Sequence, residues 1–120
     1  MWSDRYYYLN IYSDKELSTS FNTLEIRNFL ESLKELKKKS DFVFNNQTDF
    51  PFTIIILLNA RNIDSWSDKD VNESKTNLLS IVCAKSNDED FKILKETFIK
   101  IAKFLNWKLI EEDSENEIKN

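Results

Sequence analysis

Few side chains in this sequence can do chemistry, and their types narrow the possibilities. Cys83 is the single cysteine and lies in the apolar run LLSIVCA, where a thiol packs as a small hydrophobe. A nucleophilic thiol needs a base beside it, and the chain contains no histidine. That absence also removes the commonest metal ligand and the usual general base near neutral pH. The chain has no glycine either. Phosphate-cradling and dinucleotide-binding loops depend on a close backbone approach that only glycine permits, so both are excluded. Carboxylates remain. Their densest cluster, Asp88–Glu89–Asp90, stands at the head of a helical pattern, where acids complement the positive end of the dipole. It reads as a helix start, not a metal site. No catalytic, cofactor-binding or metal-binding residue is assigned, and the chain is read as a non-enzyme.

The stretch IDSWSDKDV carries a different kind of signal. It lies inside a polar run, Asn59 to Asn77, with neither helical nor strand periodicity. Trp66 stands among Asp64, Asp68 and Asp70, an aromatic anchor with a charged rim of the kind that dominates protein interfaces. The competing reading folds Trp66 back across a sheet edge or a helix end. A second candidate surface is the aromatic segment RYYYLNIY, Arg5 to Tyr12. As a strand it places Tyr7, Leu9 and Ile11 on one face and Tyr6, Tyr8, Asn10 and Tyr12 on the other. The residues expected to meet a partner are therefore Asp64, Trp66, Asp68, Asp70, Tyr6 and Tyr8.

The elements that must position these residues follow from periodicity. Asn22 is a good N-cap with Glu25 three residues on. Ile26, Phe29, Leu30, Leu33 and Leu36 keep helical spacing, so a helix is expected over about Thr23–Lys38, with Lys37, Lys38 and Lys39 in or beside its last turn. Asp41–Asn45 reads as a short strand. Phe52–Asn59 and Asn77–Ala84 are apolar on both faces and should be central, antiparallel neighbours. A second helix is expected over Asp88–Asn106, capped by Ser86, Asn87 or Asp88, with an apolar stripe from Phe91 to Leu105. Trp107–Glu111 reads as a final strand. Two helices cannot cover both faces of five strands. The economical solution is a two-layer α+β sandwich: a mostly antiparallel five-stranded sheet in the order β-α-β-β-β-α-β, both helices on one face, a ferredoxin-like variant. The other face would stay open, and a broad aromatic open face usually marks an interface.

The chain suits one domain, 1–110, followed by an acidic C-terminal tail, 111–120. The net charge is −4. Residues 111–120 hold five acids and one lysine, so the tail carries that charge and the rest is neutral. Nucleic-acid binding needs surplus Lys or Arg for phosphate contacts, which argues against direct contact with nucleic acid. An open-sheet aromatic module for nucleic acid or peptide is the alternative reading. No signal-peptide pattern stands at the start. The longest apolar run, Ile54–Leu58, is too short for a bilayer. A soluble cytoplasmic protein without a membrane partner is expected.

Taken over its whole length, the chain is small, acidic, glycine-free and rich in Asn, Lys and Ile. With RYYYLNIY, two amphipathic helices and the end EEDSENE, it resembles the immunity proteins of bacterial toxin–immunity pairs, those of contact-dependent growth inhibition in particular. The resemblance implies a non-catalytic, cofactor-free inhibitor that covers the active site of a cognate toxin protein or a neighbouring surface. Many such toxins are basic nuclease domains, which would suit an acidic partner.

Overall fold

The apolar runs around Ile55 and Ile81 carry hydrophobic side chains on both faces, so neither can border water and both must be flanked. The computed structural model, which describes residues 6–85 and 87–119, shows how. The chain runs β1 (Tyr6–Tyr12), β2 (Phe21–Asn22), α1 (Thr23–Ser32), β3 (Leu36–Lys38), β4 (Val43–Asn46), β5 (Thr53–Leu58), β6 (Lys75–Thr76), β7 (Leu78–Ala84), α2 (Asp88–Leu105) and β8 (Lys108–Glu111). Six strands form one sheet in the order β3-β4-β5-β7-β1-β8, and β2 with β6 forms a second, two-stranded sheet. All the pairings are antiparallel. As expected, β5 and β7 are central neighbours, in register from Thr53↔Cys83 to Leu58↔Leu78. Within the large sheet, β1, β5, β7 and β8 interleave with the two helices and lie side by side as β8-β1-β7-β5. The β3–β4 hairpin extends the β5 edge. Arg5, Ser86 and Asn120, each assigned a place by the sequence reading, lie outside the described residues.

Both helices cover the same face. Ile26 and Leu30 of α1 and Leu94, Phe98 and Ile101 of α2 join Leu9, Ile11, Ile55, Leu57 and Ile81 of the sheet in one buried cluster. Each such side chain contributes roughly 1.5–3 kcal/mol by leaving water. Asn22 caps α1 as expected, its Oδ1 accepting from the Glu25 N–H at 3.0 Å. Asn87 caps α2 in the same way through the Asp90 N–H at 2.8 Å. With no glycine available, left-handed backbone positions fall to Leu17, Asn106 and Glu115. Asn106, at φ 59°, ends α2, a position asparagine tolerates because its side chain hydrogen-bonds locally. No helix among the described residues is long and apolar enough to cross a membrane.

Two expectations need correction. The first helix stops at Ser32 and does not reach Lys38, because Leu33 is extended at φ −83°, ψ 125°. Leu36, whose spacing from Leu33 suited a helix, is 2% exposed but reaches the core from strand β3, opposite Asn46. Lys37 and Lys38 therefore complement no helix dipole; they are exposed on an edge strand, where charge opposes pairing with another chain. The strand count is also revised, from five to six plus the small β2–β6 sheet. A third point concerns the face expected to be open, which is partly roofed. Tyr12, Leu58, Leu78 and Ile110 form a second cluster on that side, and Ile63, Trp66 and Val71 pack against it from the polar run.

Candidate functional site

Asn10 sits between Leu9 and Ile11, so strand alternation turns its amide to the face without helices. Its cross-strand neighbours are Ser80 on β7 and Ile110 on β8. It is only 4% exposed. The Nδ2 donates to Glu112 Oε1 at 3.5 Å, while the Oδ1 is buried and has no partner. The carboxylate accepts only, so it fixes which end of the amide faces it. Two residues on, Tyr12 is also buried. Burial raises its hydroxyl pKa above the ordinary 10.0; Lys15 opposes the rise, and Glu115 and Asp64 add to it. The phenol stays neutral near pH 7.

The polar run from Asn59 to Asn77 supplies one wall. Its base is clamped by Asn77, whose side chain accepts from the Ala60 N–H and donates to the Ala60 carbonyl, both at 2.9 Å. Further out, the Asn59 N–H donates to the Asp70 carbonyl at 2.7 Å. Asp70 Oδ2 accepts from the Ser67 N–H at 2.9 Å, and Asn62 Oδ1 accepts from the Asp64 N–H at 2.8 Å. These bonds shape the loop through short side-chain-to-backbone turns of Asn and Asp. They carry half-buried Trp66 and Ile63 onto the sheet.

The segment after β8 supplies the opposite wall. It is bonded back onto the sheet: Glu112 N–H donates to the Tyr8 carbonyl at 2.9 Å and Ile118 N–H to the Leu109 carbonyl at 2.7 Å. Glu115, with its N–H on the Glu111 carbonyl, forms an ion pair with Lys15 at 2.6 Å. That contact lowers the Glu115 pKa and raises that of Lys15.

Between these walls is a cleft of about 400 Å³. Its floor is Asn10, Tyr12 and Ile110; Ile63, Asp64 and Trp66 border it on one side and Glu112, Glu115 and Lys15 on the other. Three carboxylates against one ammonium leave it acidic. The aromatic and aliphatic lining makes it amphipathic.

The sequence-derived site is thus divided. Asp64 and Trp66 line the cleft. Asp70 is turned to holding the loop, and Asp68 is exposed outside the cleft lining. Tyr6 and Tyr8 stand further along the same face of β1. Tyr6 is 36% exposed and Phe52 41%, with ring centroids 5.5 Å apart; Tyr8 is half-buried. Sequence reasoning placed Asn10 and Tyr12 on this face without naming them as site residues, and it missed Lys15, Glu112 and Glu115. The one local signal was Asn10 itself, a lone amide inside an aromatic strand.

Among the described residues, no three His, Cys, Asp or Glu side chains come together in a way that could hold a metal ion. Cys83 is buried, and burial pushes its thiol up to about 12, so it is not a thiolate at neutral pH. What the cleft offers is hydrogen-bond acceptance and negative charge beside aromatic rings. No family model matches the chain, and comparisons with curated proteins and with solved structures find no match.

Proposed function

We propose that the chain is a protein-binding inhibitor, an immunity protein of a bacterial toxin–immunity pair, that works in the cytoplasm and neutralises a cognate toxin domain by occlusion. The supporting observation is the acidic, aromatic-lined cleft on the helix-free face of the sheet, with Trp66 half-buried at its side. A basic partner, such as a nuclease domain, meets complementary charge there, and the uncovered part of the indole leaves apolar area for it to cover. The inhibitor performs no chemistry; it blocks the toxin's active site or a surface beside it. The fold is read as a ferredoxin-like variant, with α1 and α2 on one face and the partner on the other.

The reading frame immediately upstream of this chain tests the proposal. A large secreted protein ending in a toxic domain is expected. That domain, expressed alone, should arrest growth, and co-expression with this chain should restore it through a stable complex of the purified proteins. An upstream neighbour of another kind, or a toxic domain that still arrests growth and forms no complex, overturns the reading.

A further inference from the structure

The helix-free face has a second apolar area, away from the cleft. Cross-strand pairing sets Lys37, Asn45, Ile54, Val82 and Tyr8 in one row across the sheet. Leu36 is buried among the helix-side core, so alternation turns Lys37, and the row with it, to the side without helices. Tyr6, Tyr8, Phe52, Ile54, Ile56 and Val82 share that side, and none of the six lines the cleft. Tyr6 and Phe52 are the most exposed, at 36% and 41%, with ring centroids 5.5 Å apart; the other four are half-buried. Scaled from the roughly 200 Å² that an aromatic side chain carries, the six present about 300 Å² of apolar surface, the size at which an exposed patch marks a contact. A standard interface takes about 800 Å² per copy, so the patch suits its dry centre and the surrounding rim must supply the rest. None of the six is charged, so a basic partner drawn to the acidic cleft gains nothing from this area.

Two charged borders flank the patch at right angles. Across the strands lies the β3 edge, where Lys37 and Lys39 are exposed and Lys38 already holds Asp41 at 3.4 Å. Along the strands lies the Trp66 loop, in which Asp64 to Asp70 hold three acids and one lysine and Asp68 is exposed. With strands about 4.8 Å apart and residues about 3.3 Å apart along them, Lys37 lies about 14 Å from Val82 and the loop base at Asn77 about 16 Å. We propose that this area is a self-association surface, on which a second copy of the chain packs about a two-fold axis lying in the face midway between those two directions. The axis sets patch on patch. It also exchanges the borders, so the lysine edge of each copy meets the acidic loop of the other. The two sheets then cross near a right angle, one of the two packings that twisted sheets adopt. Every contact occurs twice, as in any isologous pair.

Sedimentation equilibrium of the full chain from about 1 μM to 1 mM tests the proposal. A reversible monomer–dimer equilibrium in the micromolar range is expected, weakened by added salt because the borders are exposed charges. Val82→Lys puts a charge at the centre of the patch and should abolish the dimer while keeping the circular dichroism spectrum of the monomer. Should it not fold, Phe52→Glu, which lies outside the strands, takes its place. Lys37→Glu and Asp68→Lys, both at exposed positions, should each weaken self-association about tenfold. An equimolar mixture of those two variants should dimerise as well as the wild type, because each border then meets its opposite charge. A chain that stays monomeric to about 1 mM, a dimer indifferent to the folded patch variant, or a mixture no tighter than its components overturns the proposal. A monomeric wild type whose toxin binding is lost in Val82→Lys would give the patch to the toxin and overturn self-association as well. The proposal goes beyond the inhibitor reading and fails separately from it, since a monomeric chain can still neutralise a toxin and a dimer can form where no toxin is bound.

Discussion

At the scale of single residues, Trp66 shows two demands on one side chain. The surrounding loop is polar, yet the indole packs with Ile63 and Val71 over the sheet cluster of Tyr12, Leu58, Leu78 and Ile110. Only part of it is covered, so truncation removes only part of the 3–5 kcal/mol that a fully buried aromatic contributes. Trp66→Ala is expected to lower folding stability by about 1–2 kcal/mol. Affinity for the partner should fall by about 2 kcal/mol or more, the behaviour of a central aromatic anchor. Thermal unfolding and titration calorimetry on the same variant separate the two. A stability loss with unchanged affinity would make Trp66 a roof over the sheet and nothing more.

At the scale of elements, the segment after β8 has more structure than its composition suggests. Acids crowd it, and composition alone describes a solvated end. In the fold, an isolated bridge joins Ile110 to Glu117, and Ile118 packs partly against the main core. The segment also brings Glu112 and Glu115 to the cleft. Ending the chain after Glu111 should therefore cost about 2 kcal/mol of stability, from one half-buried Ile and its backbone hydrogen bonds. It should also release Lys15 from its ion pair and slow association with a basic partner. Denaturant unfolding and stopped-flow association at two salt concentrations measure these effects. Unchanged stability would mean that the Ile118 contact contributes nothing.

At the scale of the whole molecule, Cys83 reports on the cooperative unit. It lies on central strand β7, opposite Tyr7 on one side and Thr53 on the other, and is fully buried. A thiol reagent should reach it only through global opening, so the labelling rate should follow the unfolding equilibrium as denaturant is added. Fast labelling without denaturant would show that β7 opens locally. The raised thiol pKa has a defined sign. The folded state keeps the proton to about 12, whereas the unfolded thiol releases it near its ordinary 9.0. Stability from this group is fully present below pH 9 and is lost as pH rises towards 12. Cys83→Ala should flatten that part of the stability profile relative to the wild type.

What the sequence by itself determined is everything that local periodicity can encode. The doubly apolar runs place β5 and β7 at the sheet centre because neither face can meet water. The Asn22 cap sets the start of α1 through a hydrogen bond that spans three residues, whereas for α2 the sequence offered Ser86, Asn87 or Asp88 and the structure caps it with Asn87. Alternation in YYYLNIY assigns the two faces of β1 correctly. The end of α1 was not legible, because Leu33 and Leu36 suit a helix as well as an edge strand, and pairing with β4 chose the strand. The site was legible in part: Asp64 and Trp66 were named, and Asn10 and Tyr12 were placed on the right face, whereas Lys15, Glu112 and Glu115 were not foreseen. Asn10 and Glu112 lie 102 positions apart and meet at 3.5 Å; Lys15 and Glu115 lie 100 apart and meet at 2.6 Å. No pattern within either segment encodes such a meeting. It exists because β8 pairs with β1 and lays the following acids beside that strand, and this pairing is a property of the folded sheet alone.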